Sequence, residues 1–226
     1  MNREDLRNKL STIDRKVAVC TLSGGLDSTV ASALIADAGF SIKFIFFDWG
    51  QKTYEKEKEC AIALAAYFKA ALMTVEVPIL KKIPGISLTQ AETKTTAINE
   101  YVPNRNAVLE SQTVAFAESL KAGVVCVGST GGDHICPDNS PDFINAMQNT
   151  IDQGTMLKPS IKLVAPLLAT DKVGAVKLGL ELNVPFSLTW SCHNNNDMAC
   201  GYCSNCQSRL EAFQLNNLVD PIPYAK

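Results

Sequence analysis

Short, almost unbroken apolar runs alternate along this chain with longer stretches of helical periodicity. Residues 17–22 (VAVCTL), 42–47 (IKFIFF), 71–77 and 124–127 (VVCV) have the length and β-branched or aromatic content of buried strands. Residues 28–38, 54–70, 104–120, 141–149 and 171–178 read as helices between and after them. Gly39 and Gly179 mark two helix ends, and Pro141 stands near a helix start. Residues 163–168 hold a further short strand that stops at Pro166. Residues 1–15 form a polar lead-in able to be helical. Residues 79–101, rich in Thr and carrying Pro84 and Gly85, are a long polar excursion of the kind that is often functional. The tail from 187 is a cysteine segment plus one helix at 208–215.

Strands alternating with helices predict an α/β fold: a Rossmann-like parallel sheet flanked by helices, with a small C-terminal helical segment. The expected organisation is an α/β domain over 1–186 and a C-terminal segment over 187–226, packed as one unit. With 226 residues, 46% of them hydrophobic, the chain can bury one sizeable core. No apolar run approaches the roughly 18 residues of a membrane span, and the N-terminus has no apolar signal region. The expected location is cytoplasmic, without membrane association. Lys+Arg 21 against Asp+Glu 23 leaves a formal charge of −2, so no basic footprint for nucleic acid is expected.

The first chemical feature is the run LSGGLDST between the first strand and the helix after it. Leu22, Ser23, Gly24, Gly25, Leu26, Asp27, Ser28 and Thr29 form a tight turn that can aim backbone N–H groups at an anion. The helix start adds its free N–H groups and positive dipole end. Neither the GxxxxGK[ST] loop nor GxGxxG is present; a bare Gly-Gly turn before a helix is a common structural feature, but the complete SGGxDS after an apolar strand points to a different kind of phosphate loop. Asp27 orients the loop or helps hold Mg²⁺ beside the phosphates; its plainer role is a helix cap. Ser23, Asp27, Ser28 and Arg105 are the catalytic candidates.

The second feature is the cysteine pattern. Of eight cysteines, Cys192, Cys200, Cys203 and Cys206 are clustered as C-x7-C-x2-C-x2-C. Four thiolates at that spacing suit a closed tetrahedral Zn²⁺ site of structural role. An iron–sulfur cluster uses the same ligand set, and free thiols are the remaining reading. His193 stands nearby, but four cysteines already complete the set. A disulfide framework is not expected without a secretion signal.

Other candidates sit where loops leave the strands. Asp48 and Gln51 follow the second strand and are placed for nucleotide or metal contact; the bland reading is a hydrated loop. Arg105 and Asn106 stand at a helix start, where an arginine can fork a phosphate or carboxylate, or merely cap the surface. Gly128 opens the glycine-rich run 128–134, which suits a pocket wall against a flat ligand and carries Asp133 as a substrate-binding candidate. Asp138 can accept from the donors of a purine-like ring; its alternative is to cap the next helix.

Taken together, SGGLDSTV at 23–30, FDWGQ at 47–51, YVPNRN at 101–106, PDNSPDF at 137–143 and TWSC…CGYCSNCQSRLEAF at 189–213 resemble the 7-cyano-7-deazaguanine synthase family. That family lies within the adenine-nucleotide α-hydrolase-like, or PP-loop, group. The likeness covers residues 15–215 in order, and the C-terminal block makes it specific. It implies an ATP-dependent ligase that turns 7-carboxy-7-deazaguanine and ammonia into the nitrile through acyl-adenylate and amide intermediates. It also implies a homodimer and one zinc per chain on Cys192, Cys200, Cys203 and Cys206. Many bacterial members carry Cys and Arg where this chain has Asn139 and Ser140, as in the archaeal branch. The alternative is a paralogue that passes the activated acid to another amine, including one on a partner protein. A tRNA-thiolating enzyme would need RNA-binding surface, which the charge does not supply. A non-catalytic zinc module would not need the whole phosphate loop.

Overall fold

The computed structural model describes residues 3–90, 100–131 and 136–225. Five strands build one sheet: β1 (Val17–Thr21), β2 (Ser41–Asp48), β3 (Leu72–Glu76), β4 (Val124–Cys126) and β5 (Lys162–Val164). Their order is β3-β2-β1-β4-β5 and every neighbouring pair is parallel. The chain winds outward from β1 to β3, then returns to the other side of β1 with β4. The sheet therefore has a switch point between β1 and β4, where loops splay apart and leave a crevice at the strand C-termini.

The eight helices of the described residues are α1 (Arg3–Ser11), α2 (Leu26–Asp37), α3 (Tyr54–Tyr67), α4 (Pro78–Lys81), α5 (Arg105–Ser119), α6 (Pro141–Gly154), α7 (Lys172–Glu181) and α8 (Ser204–Leu215). They divide between the two sheet faces. Ala18, Cys20, Phe44 and Phe46 point to one face and pack with α1, α2, α3, α7 and α8. Val19, Ile45, Phe47 and Val125 point to the other and pack with α5 and α6. The period-two alternation of strand side chains makes these two cores. Because both faces are covered, the inner strands β1, β2 and β4 read as nearly continuous apolar runs rather than as alternating ones.

Several boundaries differ from the sequence expectation. α2 begins at Leu26, two residues early, which brings Asp27 and Ser28 into its first turn. α8 begins at Ser204 rather than 208, so Cys206 lies on the helix and Cys203 at its N-cap. The strand expected over 163–168 is confined to Lys162–Val164. Gly179 does not end α7, which runs on to Glu181. It is there for contact: a methyl on it would lie 2.3 Å from Phe186 Cζ. The excursion at 79–101 contains α4, and its residues 91–99 lie outside the described set.

The C-terminal segment is fastened by a buried ion pair. Arg209 is fully buried and donates from Nε and Nη2 to the two oxygens of Asp220, at 2.7 and 3.0 Å. Its other donors reach Thr189 Oγ1, Ser191 Oγ and the Phe186 carbonyl at 2.7, 3.2 and 3.1 Å. Tyr224 donates its hydroxyl to Asp220 at 2.6 Å. Removing one partner strands the other charge in the interior. Asp220→Ala is expected to cost about 3–5 kcal/mol, read as a lower denaturation midpoint in urea.

Candidate active site

The crevice at the switch point is a cleft of about 450 Å³. One end is the phosphate loop. Gly25 is the N-cap of α2 in extended geometry with no side-chain cap bond, so the first N–H groups of the helix remain available to an anion. The hydroxyls of Ser23 and Ser28 lie 3.1 Å apart, and Ser28 Oγ also accepts from Ser23 N–H at 3.2 Å. Together they brace the turn and present two hydroxyls beside those N–H groups. Thr29 donates to the Gly25 carbonyl at 2.6 Å and is fully buried, so it shapes the loop from behind.

Asp27 is in the first turn of α2. Its Oδ2 pairs with Lys172 Nζ at 3.1 Å, while its Oδ1 is buried without a hydrogen-bond partner among the described residues. A buried carboxylate oxygen left unmatched is costly unless a cation or donor meets it. That atom, next to the free N–H groups at the helix start, is of a kind that fits a Mg²⁺ ion. Lys172 lines the cleft from the start of α7 and donates also to Asn205 Oδ1 at 3.0 Å. It is a site residue the sequence reading did not single out.

The second side of the cleft comes from β2 and its loop. Trp49 forms part of the wall, with the Arg105 guanidinium over its ring at 5.1 Å. Gln51 lines the cleft, but its side chain is engaged in holding the loop. Its amide donates to the Phe47 carbonyl and to Glu57, at 2.9 and 3.0 Å, and its oxygen accepts from Trp49 N–H at 3.0 Å. Burial pushes the Glu57 carboxyl up, against the hydrogen bonds from Thr53 and Gln51. Asp48 does not line the cleft; it accepts from Gly50 N–H at 3.0 Å and closes the turn.

The third side is α5. Arg105, Asn106 and, one turn further on, Glu110 all line the cleft. Asp138 does not. Its Oδ2 accepts from Asn106 N–H at 2.8 Å, and its carbonyl accepts from the Asn106 amide at 2.9 Å. Asp138 therefore caps the first turn of α5 and aims Asn106, while Asn139, the next residue, faces the cleft. The cap of α6 is Ser140, whose Oγ accepts from Phe143 N–H at 3.1 Å. Asp133 lies outside the described residues.

The β4 loop meets the phosphate loop directly. A methyl on Gly128 would stand 2.7 Å from Ser28 Cα and 2.8 Å from its nitrogen. Gly128→Ala must push the two loops apart. Misplacement of that size is expected to lower kcat/KM roughly 10–100-fold with little change in melting temperature. Unchanged kinetics would show that the loops need not touch.

The fourth side is the cysteine segment. The sulfurs of Cys192, Cys200, Cys203 and Cys206 lie within 4.8 Å of one another, with Cys200 and Cys206 at 3.9 Å. A tetrahedron of zinc–sulfur bonds of about 2.3 Å has edges of about 3.8 Å. The N–H groups of Asn194, Asn195 and Cys200 each reach Cys192 Sγ at 3.3 Å. Hydrogen bonds from Cys203 and Cys206, with these N–H groups, hold the Cys192 thiol far below its ordinary value. Donor set and spacing both fit a closed metal site. His193 turns away from it, toward Glu100 at 3.5 Å and Asn205 at 2.6 Å. The segment also grips the phosphate loop, since Trp190 N–H donates to the Gly24 carbonyl at 2.8 Å.

Comparisons with known proteins agree with this architecture. The NH3-dependent NAD synthetase of Campylobacter jejuni superposes with a TM-score of 0.51 at 17% identity, covering 82% of this chain and 72% of that one. The NMN synthetase of Francisella tularensis gives 0.52 at 16% identity, covering 96% and 87%. At these identities they share the fold. Sequence relatives go further. The 7-cyano-7-deazaguanine synthase of Methanoculleus marisnigri is 42% identical over 222 residues, 93% of this chain and all of that one. The enzyme of the same name from Oceanobacillus iheyensis is 39% identical over 218 residues, 92% of this chain and 98% of that one. The family model of the queuosine biosynthesis protein QueC matches residues 17–217. With the phosphate loop, the α5 wall and the four-cysteine segment all inside that span, the chain belongs to the QueC family.

Proposed function

We propose that this chain is a 7-cyano-7-deazaguanine synthase that uses ATP to convert 7-carboxy-7-deazaguanine and ammonia to the nitrile. One observation carries this beyond the name of its relatives. The phosphate loop, Lys172 and the first turns of α5 line a single cleft, so a triphosphate and a small acid can lie side by side. A carboxylate oxygen leaves poorly and AMP leaves well. Carboxylate attack on the α-phosphorus forms the acyl-adenylate and expels pyrophosphate. Ammonia then displaces AMP to give the amide. A second adenylation, on the amide oxygen, and loss of AMP with two protons give the nitrile.

The residues divide the work as follows. Ser23, Ser28 and the N–H groups from Leu26 onward stabilise the charge that builds on the departing pyrophosphate. Asp27 Oδ1 would hold Mg²⁺, which neutralises phosphate charge when bound. Lys172, steered by Asp27, is a cation for the α-phosphate or the attacking carboxylate. Arg105, stacked on Trp49, forks the acid or the nucleotide. Cys192, Cys200, Cys203 and Cys206 would hold Zn²⁺ in a structural role. The homodimer implied by the resemblance belongs to this proposal and is read by light scattering.

The test is purified protein with ATP, Mg²⁺, 7-carboxy-7-deazaguanine and ammonium. Pyrophosphate release that requires the deazapurine acid, with nitrile product by mass, is expected. Pyrophosphate without nitrile would replace ammonia by another amine acceptor. No acid-dependent pyrophosphate would overturn the proposal.

A further inference from the structure

The buried Glu110 is the one acid of the cleft wall that no described contact explains. It lies on α5, is 3% exposed, and its Oε2 is buried with no hydrogen-bond partner among the described residues. It stands one turn after Asn106 on the face that lines the cleft. Thr113, Val114 and Ala117 follow it at helical spacing and are buried in the core, so Glu110 occupies the top of a core stripe. A carboxyl in such a position costs stability unless something in the cleft answers it.

We propose that Glu110 reads the guanine-like edge of the substrate, accepting from the ring N1–H and the exocyclic 2-amino group. This rests on the deazapurine reading given above and deepens it. The geometry has three parts. First, the C7 carboxyl and the N1/2-amino edge lie at opposite ends of a 7-deazaguanine bicycle. When the carboxyl faces the phosphate loop, the edge must face away from it. Second, the loop opens α2, which packs on one face of the sheet, whereas Glu110 comes from α5 on the other face. The cleft runs between them, with Gly128 and Val127 in its wall. Third, the rival acid Asp138 already spends its carboxylate on Asn106 N–H at 2.8 Å. Asn139, also in the wall, can serve the ring oxygen beside N1–H.

Desolvation, with Asp138 adding repulsion, pushes the Glu110 carboxyl up to about 8. Two adjacent N–H donors favour the carboxylate form, as they do when an acidic side chain meets base-edge donors. A donor–donor edge therefore matches the buried Glu110 carboxyl in full, and a ring lacking the amino group matches it only by half.

The experiment compares 7-carboxy-7-deazaguanine with its 2-desamino counterpart in acid-dependent pyrophosphate release. Wild-type protein is expected to prefer the 2-amino acid roughly 3- to 10-fold in kcat/KM, the share of one of the two donors in a good bidentate base contact. E110Q, checked for folding by its thermal melt, is expected to lose most of that preference with an unchanged KM for ATP. Equal use of both acids by wild type would overturn the assignment, and this ratio decides even if E110Q fails to fold. Full preference retained in folded E110Q would overturn the assignment of Glu110 alone. Turnover of neither acid would overturn the proposed function and this assignment with it.

Discussion

Asp27→Asn is expected to lower turnover by roughly 10²–10³-fold while the protein stays folded. The substitution keeps the shape and removes the charge. Two things go with that charge. Lys172 loses the partner that holds its ammonium at 3.1 Å, and the buried Oδ1 loses its capacity to meet a cation. In the proposed reaction both act on the phosphates, where negative charge moves from the α–β bridge to the departing pyrophosphate. An isolated N-terminal cap would behave otherwise. Its loss costs about 1 kcal/mol of stability and leaves the rate alone. Gly25, not Asp27, is the N-cap of α2, so the large effect should fall on kcat. The measurement is steady-state pyrophosphate release at saturating acid, alongside circular dichroism. A rate within a factor of two of wild type would remove Asp27 from the phosphate site.

The phosphate loop was legible because its residues are contiguous and follow an apolar run. The sheet was legible for a related reason: strands covered on both faces must be apolar throughout, and 17–22, 42–47 and 124–127 have no other use. What lay outside reach came from packing. α2 starts early because Gly25 caps it without a side chain, and glycine sends no start signal there. Gly179 reads as a helix end, yet serves the approach of Phe186. Asp138 meets Asn106 while its neighbour Asn139 lines the cleft, an arrangement of the short 3-10 turn Pro137–Asn139 that the residue types do not announce.

Single residues far apart in sequence were harder still, although two carried a usable mark. Lys172 sits in the first turn of α7, where the helix dipole disfavours a cation. A lysine there, steadied by an aspartate from another helix, has a reason other than helix stability. Glu110 stands at the head of a buried stripe whose next members are Thr113, Val114 and Ala117. An acid on the apolar stripe of a helix breaks the pattern that folds it, and such breaks concentrate at sites. Trp49 and Glu57 gave no comparable sign, since an aromatic residue after a strand and an acid in the first turn of a helix are both ordinary.

Loss of one cysteine ligand should damage the catalytic cleft and the fold together. Cys200→Ser is expected to lower the zinc content well below one per chain, to reduce the melting temperature by roughly 5–15 °C, and to remove most turnover. The stability effect follows from burial. Cys192, Cys200, Cys203 and Cys206 are all nearly inaccessible and form a small cluster with Trp190 and Ile222. Without a metal, their sulfurs are close-packed thiols with little apolar core of their own to hold them. The catalytic effect follows from one backbone bond. Trp190, two residues before Cys192, donates to the Gly24 carbonyl at 2.8 Å, within the phosphate loop. A relaxed cysteine segment therefore releases the loop from outside, and the N–H groups from Leu26 onward lose their alignment. A purely remote stabilising role would predict something different: lower melting temperature, but normal KM for ATP at a temperature where the variant is folded. We expect the KM for ATP to rise at 15 °C, where the fold persists. Elemental analysis should find about one zinc per wild-type chain, as one complete four-thiolate set requires. Iron with visible absorption would overturn the zinc assignment. An unchanged KM in folded, metal-depleted protein would show that the Trp190–Gly24 link does not carry the coupling.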